Sequence, residues 1–462
     1  MKRTIKFVST LSLVTLALGL GHMHSLSAGD ARGGGDEEGG LIGADVIVGS
    51  LNGITRWSSS LGVTSYSIGT TSCNIGDEEL SWVAGTNVHP VIPQNIYRWE
   101  NGQLHQIGMS HCKHGFCALQ ENLCGPCTPS GGGCDDALGI GCSDPYSSFL
   151  NGEQGGLGPR SPVTPHTGHF PYPFSSAPVI NGLSRRLQVE NEDLNPTLHP
   201  DALYFGEGIY VHVEDATAGN DDNNTSLREI SVGSFTSGGY NLSLTGPTLQ
   251  MINPAELVKQ LDEDAFLTHV DVRNSGRFSV AVTVRDNPDG TYRYTYHLYN
   301  QTVHRNIRSL SIDKSGLNLS NIGHNLEPHH SGEPYDTDTW SMTEGSDSIL
   351  WTTESWFTNP LANALRWGML NTFWFDSTAP PVSGDITVGL HTAGGFLTFE
   401  AIVPETAVPS LPGDLNGDCV VDGQDLGALL GAWGTPDGDL TGDQTTNGED
   451  LGALLGAWGD SC

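Results

Sequence analysis

Lysine is nearly missing from this chain: there are five in 462 residues, and two of them, Lys2 and Lys6, fall within the first six. Lys and Arg together number 20 against 53 Asp and Glu, a formal net charge of -33. Charged residues are only 16% of the chain, below the roughly 25% of ordinary soluble domains. The imbalance is therefore a shortage of cations. Nucleic-acid binding, which needs clustered Lys and Arg to displace counterions, is excluded, as is a partner made of anionic lipid. Long apolar runs are scarce as well. Phe7 to Leu20 falls short of the ~20 residues that cross a bilayer, so the chain does not read as membrane-spanning. GxSxG and phosphate-loop motifs are missing, which removes the common nucleophile-elbow and NTP-binding classes.

The positive start (Lys2, Arg3, Lys6), the short apolar stretch and the small-x-small site Ser25-Leu26-Ser27 predict a secretory signal over residues 1–28. The protein is read as secreted into an extracellular, oxidising space, where disulfides are the default for its nine cysteines. Residues 29–40 (GDARGGGDEEGG) form a glycine-acid spacer of disordered composition. Residues 41–190 are a Cys/His-rich, loop-rich β region. From 191 to 402 the pattern has period two: Phe278, Val280, Val282 and Val284 alternate, Asn287-Pro288-Asp289-Gly290 turns, and Tyr292, Tyr294, Tyr296 and Leu298 alternate again. Ile386 to Leu390 and Phe396 to Ile402 flank a Gly394-Gly395 turn in the same way. Only Pro254 to Phe266 looks helical. The body is expected to be mainly β, a β-sandwich-like domain with a disulfide-rich N-terminal part. Residues 403–413 (VPETAVPSLPG) are a proline-punctuated linker to 414–462.

Six of the seven body cysteines, Cys112, Cys117, Cys124, Cys127, Cys134 and Cys142, crowd into 31 residues, with Cys73 upstream. This predicts a disulfide-stapled loop with one cysteine left over. Cys124-Gly-Pro-Cys127 has the form of a redox tetrapeptide, yet Thr-Pro-Ser-Gly-Gly-Gly follows where a helix should begin, so it is read as a decoy. His111, His114, His166 and His169 are candidate ligands for copper or zinc, since neutral imidazoles suit both metals. HxxH at 166–169 lies in a Pro-rich stretch, unlike a helical zincin site. Glu207, Glu214, Glu344 and Glu354 are candidate glycosidase carboxylates. Trp340, Trp351, Trp356, Trp367 and Trp374 either fill a core or stack on sugar rings.

The last tenth of the chain carries the strongest signal. DLGALLGAWG at 425–434 recurs letter for letter at 450–459. In each copy the apolar residues fall at i, i+3, i+4 and i+7: Leu426, Leu429, Leu430, Trp433 and Leu451, Leu454, Leu455, Trp458. This predicts two helices that bury these stripes against each other. Before the first, Asp414, Asn416, Asp418, Asp422 and Asp425 occupy positions 1, 3, 5, 9 and 12 of a twelve-residue loop, with the Val420 carbonyl at 7. Asp439, Thr441, Asp443, Asn447 and Asp450, with Thr445 at 7, do so before the second. Oxygens at that spacing wrap Ca²⁺, and two Ca²⁺ ions are expected.

These loops, each with only its exiting helix, resemble the dockerin module of cellulosome-type proteins. The resemblance implies a small all-α, calcium-binding fold that docks onto a cohesin-type or cell-surface scaffold partner. Its partner-reading positions 10 and 11 are Gly423-Gln424 and Gly448-Glu449 here. Position 6, normally Gly, is Cys419 and Gln444, which predicts backbone strain. The ends of a dockerin-like fold lie close together, which suggests a Cys419–Cys462 disulfide. The chain thus reads as a secreted modular protein whose C-terminal module presents a β-rich binding or structural body. Two alternatives stand beside this, a polysaccharide-degrading hydrolase and a Cu/Zn-dependent oxidoreductase.

Overall fold

A computed structural model describes residues 42–406 and 411–461. The predicted signal sequence and spacer, part of the linker, and Cys462 lie outside the described residues. Within them the protein is mainly β, built from several sheets and pinned by three disulfides.

The first large sheet is nine-stranded and antiparallel. Val46–Ser60 pairs with Val63–Asn74, then come Leu187–Glu190, Gln103–Met109, Gln94–Glu100, Leu203–Ile209, Thr225–Thr236 and Gly239–Leu244, with Ser143–Tyr146 attached to Val63–Asn74. The expected boundary at 190/191 does not match this order. Gln94–Glu100 is hydrogen-bonded on one side to Gln103–Met109 and on the other to Leu203–Ile209, so one sheet carries strands from both sides of that boundary. Sequence period marks strands but not their neighbours, which is why the boundary was misplaced.

The sandwich lies farther along. One sheet runs Phe266–Val272, Gly276–Asp286, Tyr292–Asn300, Met369–Ser377, Ser320–Leu326; the other runs Ser341–Glu344, Ser348–Thr352, Ile307–Asp313, Pro381–Leu390, Phe396–Pro404. Both predicted hairpins form. Val280 pairs with Leu298 and Val282 with Tyr296, and Ile386 pairs with Phe399 across the Gly394-Gly395 turn. Phe278, Val280, Val282, Tyr294, Tyr296 and Leu298 point into one core with Leu310, Ile312, Trp351, Phe373 and Val388. That is the physical meaning of their alternation: one face of each strand is buried between the two sheets.

Two short helices interrupt the body. α1 (Val213–Ala218) was not anticipated. α2 (Pro254–Leu261) starts on an Asn253/Glu256 capping box and stops five residues short of the predicted Phe266. Its exit is fixed by Lys259, which donates to the carbonyls of Glu263 and Ala265, and Phe266 already begins a strand.

The disulfides are Cys73–Cys124, Cys117–Cys134 and Cys127–Cys142, and Cys112 is the buried cysteine left over. Cys124 and Cys127 belong to different bridges, so the tetrapeptide is structural. Among the described residues no helix is long and apolar enough to cross a membrane.

Residues 411–461 hold α3 (Gly423–Gly431) and α4 (Gly448–Gly456), one per repeat. Their core is small: Val421, Leu429 and Leu454 are fully buried, with Leu411, Leu415, Leu426, Leu440, Leu451 and Ala457 packed around them. The predicted stripe is only half realised. Leu430, Trp433, Leu455 and Trp458 remain 53%, 49%, 53% and 47% exposed. Trp433 and Trp458 fall two residues past the ends of α3 and α4, and the nine-residue helices cover the i+3 leucines but not the i+4 ones.

Candidate functional site

Each C-terminal loop is shaped by its own carboxylates. Asp414 accepts the Gly417 amide at 2.7 Å and the Cys419 amide at 2.9 Å, Asp418 accepts Val420 N–H at 3.0 Å, and Asp422 caps α3 through Gln424 N–H at 2.7 Å. Loop two repeats this: Asp439 accepts from Gly442 and Gln444, Asp443 from Thr445, and Asn447 from Glu449. Position 12 is buried in both loops. Asp425 accepts the amides of Asp422, Leu415 and Asn416, which hold its carboxyl below the usual range. Asp450 accepts those of Asn447, Leu440 and Thr441. Asn416 donates to Asp418, and Thr441 donates to Asp450.

Carboxylate oxygens of Asp414, Asp418 and Asp425 lie within 4.8 Å of one another, and so do those of Asp439, Asp443 and Asp450. That donor set fits a hard divalent cation that takes oxygen ligands. At position 6 the backbone is left-handed, with φ of +66° at Cys419 and +71° at Gln444. This is the strain expected of non-glycine residues, on the order of 1–2 kcal/mol each.

The two loops close each other. Val421, at position 8, donates to the Asp460 carbonyl and accepts from Gly459 N–H, just after α4. Thr446, at position 8 of loop two, donates to the Thr435 carbonyl and accepts from Gly434 N–H, just after α3. Val420 bridges Ser461, which brings described neighbours of both Cys419 and Cys462 together; the predicted bridge itself involves a residue outside the described set. Gly423, Gln424, Gly448 and Glu449 sit exposed in the first turns of α3 and α4.

The histidines proposed for a transition metal do not converge. His111 is fully buried, 3.7 Å from the Glu333 carboxylate, with its ring 4.6 Å from that of His330 and tilted at 54° to it. His114 lies 3.0 Å from His89, His166 contacts Asp221 at 3.0 Å, and His169 is exposed. Among the described residues the groups able to hold a metal are made of Asp alone. Sequence neighbours such as 111 and 114 diverge because one ring faces Glu333 and the other faces His89.

The candidate acids scatter too. Glu214 holds Ser81, Glu344 pairs with Lys314 at 3.1 Å, and Glu354 accepts from Asn359 at 2.8 Å. Glu207 is fully buried where the two large β regions meet. It accepts from Asn95, from Tyr97 at 2.7 Å and from Tyr299 at 2.9 Å. Burial pushes its carboxyl up to about 7, against the pull of these three donors and of Arg160. Arg160, equally buried, donates to the carbonyls of Ser110, Gly368 and Gln94 and to Asn95. Asn95, Tyr97, Arg160 and Tyr299 had no motif to reveal them, because their meeting depends on sheet order. Glu207→Ala leaves two phenols and a guanidinium without their acceptor or counter-charge, and should cost about 3–5 kcal/mol. Chemical denaturation of this variant and of Glu207→Gln checks it, the glutamine being the milder change.

Of the clustered tryptophans, Trp340, Trp351 and Trp367 are core. Trp374 stacks on His105 at 5.9 Å, and Trp356 is 40% exposed.

No protein-family model and no curated protein matches the chain. Among solved structures, the Amycolatopsis orientalis exo-chitosanase CsxA, in complex with PNP-β-D-glucosamine, aligns at 9% identity with a TM-score of 0.15. The alignment covers 72% of this chain and 25% of that one; a likeness of that size carries no argument about fold or activity.

Proposed function

We propose that residues 414–462 form a module that takes up two Ca²⁺ and docks the protein onto a cohesin-type or cell-surface partner, and that the secreted β-rich body is the binding or structural unit so presented. The observation that carries this reading is the pair of Asp triads, each gathered within 4.8 Å on loops of identical register. Residues holding the ions would be Asp414, Asn416, Asp418, Val420, Asp422 and Asp425 in loop one. In loop two they would be Asp439, Thr441, Asp443, Thr445, Asn447 and Asp450. The metal would supply the cross-link that an acidic loop cannot make for itself. Leu430 and Trp433, repeated as Leu455 and Trp458, give each helix an exposed apolar pair beside Gly423-Gln424 or Gly448-Glu449, and such pairs suit a protein interface.

Calorimetry of the secreted chain with Ca²⁺ tests it: two binding events are expected, loop one tighter because it offers four carboxylates where loop two offers three. Absence of calcium heat overturns the reading, and two equal tight sites overturn the ranking. A Cys419–Cys462 bridge would clasp the module, adding about 3–4 kcal/mol in the chain-entropy picture. Intact mass after alkylation without reductant should show neither thiol labelled.

A further inference from the structure

We propose that the polar cleft beside Trp356 binds an uncharged, hydroxyl-rich saccharide. The cleft has a volume of about 390 Å³ and is lined by Asp336, Asp338, Thr339, Glu354, Asn359 and Asn363 among others. Its charged lining residues are all acids, Asp336, Asp338 and Glu354, with Arg308 reaching only the Thr352 hydroxyl from outside, so phosphates, sulfates and acidic sugars are disfavoured. The side chains left to meet a ligand suit hydroxyls: carboxylates accept, and the serine and threonine hydroxyls donate and accept.

The arrangement is held in place from behind. Asn359 Nδ2 donates to Asp336 Oδ2 at 2.7 Å and to Glu354 Oε2 at 2.8 Å, tying two acids to one amide. Asn363 Nδ2 donates to the Asp338 carbonyl at 2.8 Å, and His324 contacts the Thr339 hydroxyl at 2.7 Å.

The second observation is aromatic. Glu354 and Asn359 are the two ends of a tight turn in which Thr358 and Asn359 both donate to the Ser355 carbonyl. That turn displays Trp356, 40% exposed, and Phe357, 77% exposed, with ring centroids 5.5 Å apart at 82°. Trp340, Trp351 and Trp367 in the same stretch are all buried. Adjacent exposed Trp and Phe rings give an apolar surface of the kind a ligand can cover. Sugar rings present apolar C–H faces for stacking and hydroxyl edges for hydrogen bonding, which is the combination this turn and cleft offer.

The inference rests on the body being a binding unit and not on the calcium loops, and the test keeps the two apart. The full secreted chain is titrated calorimetrically with hexasaccharides of glucose, xylose and mannose, in calcium and again in EGTA. One of the three is expected to bind at one site per chain, equally in both buffers. Trp356→Ala should weaken it about tenfold, on the order of 1.4 kcal/mol, and Asp336→Asn several-fold, with unfolding temperatures unchanged. Failure of all three sugars, undiminished affinity in the Trp356→Ala/Asp336→Asn double variant, or competition by a lysine-rich peptide for the same residues overturns the proposal. Calcium-dependent sugar binding overturns it as well, because it places the site on the C-terminal loops.

Discussion

Taking the protein from pH 7 to pH 5 is expected to unfold its body. His89, His114, His297, His329 and His391 are each more than nine-tenths buried. Burial pushes His114, His297 and His329 down to about 3, and His89 and His391 to about 4. The hydrogen bonds give the reason in two cases. His297 lies with Nδ1 against the Ala281 carbonyl, which fixes the proton there, so Nε2 accepts from Leu104 N–H at 3.0 Å; a second proton would meet that N–H head on. His89 is placed likewise, Nδ1 against the Val83 carbonyl and Nε2 against His114 Nδ1. These groups stay neutral in the fold, whereas the unfolded chain takes up protons near pH 6.5. Their contribution is therefore present above about 6.5 and lost as pH falls toward the folded values.

Each such group can remove up to ~1.4 kcal/mol per pH unit, and a folded domain has only about 5–15 kcal/mol to lose. Glu207 and Asp144 work the other way. Burial raises both to about 7, so they favour the fold most at low pH and lose that as pH rises from the usual carboxylate range to about 7. Burial raises Asp215 and Glu327 as well, but it lowers His105, His111 and His330 alongside the five, so the histidines still outnumber the carboxyls. Near-ultraviolet circular dichroism against pH should show a cooperative loss centred near pH 5; a midpoint below pH 4 would refute the account. His297→Asn should flatten the curve.

Chelation gives the second large effect. In EGTA, α3 and α4 are expected to melt while the body stays folded. Each helix has nine residues, below the ~12–15 that make an isolated helix even marginal in water. Residues 414–462 carry ten acids and no base. Among the described residues there, three apolar side chains are fully buried, Val421, Leu429 and Leu454. On the proposed reading, ion binding is folding free energy for this segment, and a hundredfold excess of calcium over its Kd would contribute about 2.7 kcal/mol. Asp425→Ala removes the acceptor of three backbone amides as well as one of the proposed ligands, and should release both helices, since Val421 of loop one is bonded to the segment after α4. Hydrogen exchange read over 423–431 and 448–456 decides it: protection that survives EGTA would sink the prediction.

How much could be read in advance followed how local the signal was. The Phe278–Leu298 hairpin was legible because both strands bury alternate residues and one turn joins them. Three bridges with one cysteine over followed from counting, but not their pairing, which depends on Gly139, Gly141 and their neighbours folding Cys127 back onto Cys142. The gathering of Asp414, Asp418 and Asp425, and of Asp439, Asp443 and Asp450, was legible because a twelve-residue loop is set by sequence spacing alone. Glu207 and its partners were not, since Asn95, Tyr97 and Tyr299 are brought there by strands far apart in the chain. The amphipathic stripe misled at Leu430 and Trp433, because periodicity states which residues share a face and not how wide the partner is.

The reciprocal bonds of Val421 and Thr446 make the C-terminal segment a dimer folded into one chain. Each repeat offers one unpaired β-edge at position 8 and one receptive amide-carbonyl pair after its helix, and each is completed by the other. A polypeptide carrying a single copy holds the same two halves of that exchange, so two such polypeptides satisfy one another about a two-fold axis. Joining the two copies in one chain removes the dependence on concentration. The exchange is carried by backbone groups alone, so it tolerates Val421 in one half where Thr446 stands in the other, and Asp460 where Thr435 stands; only Gly434 and Gly459 are the same residue in both halves.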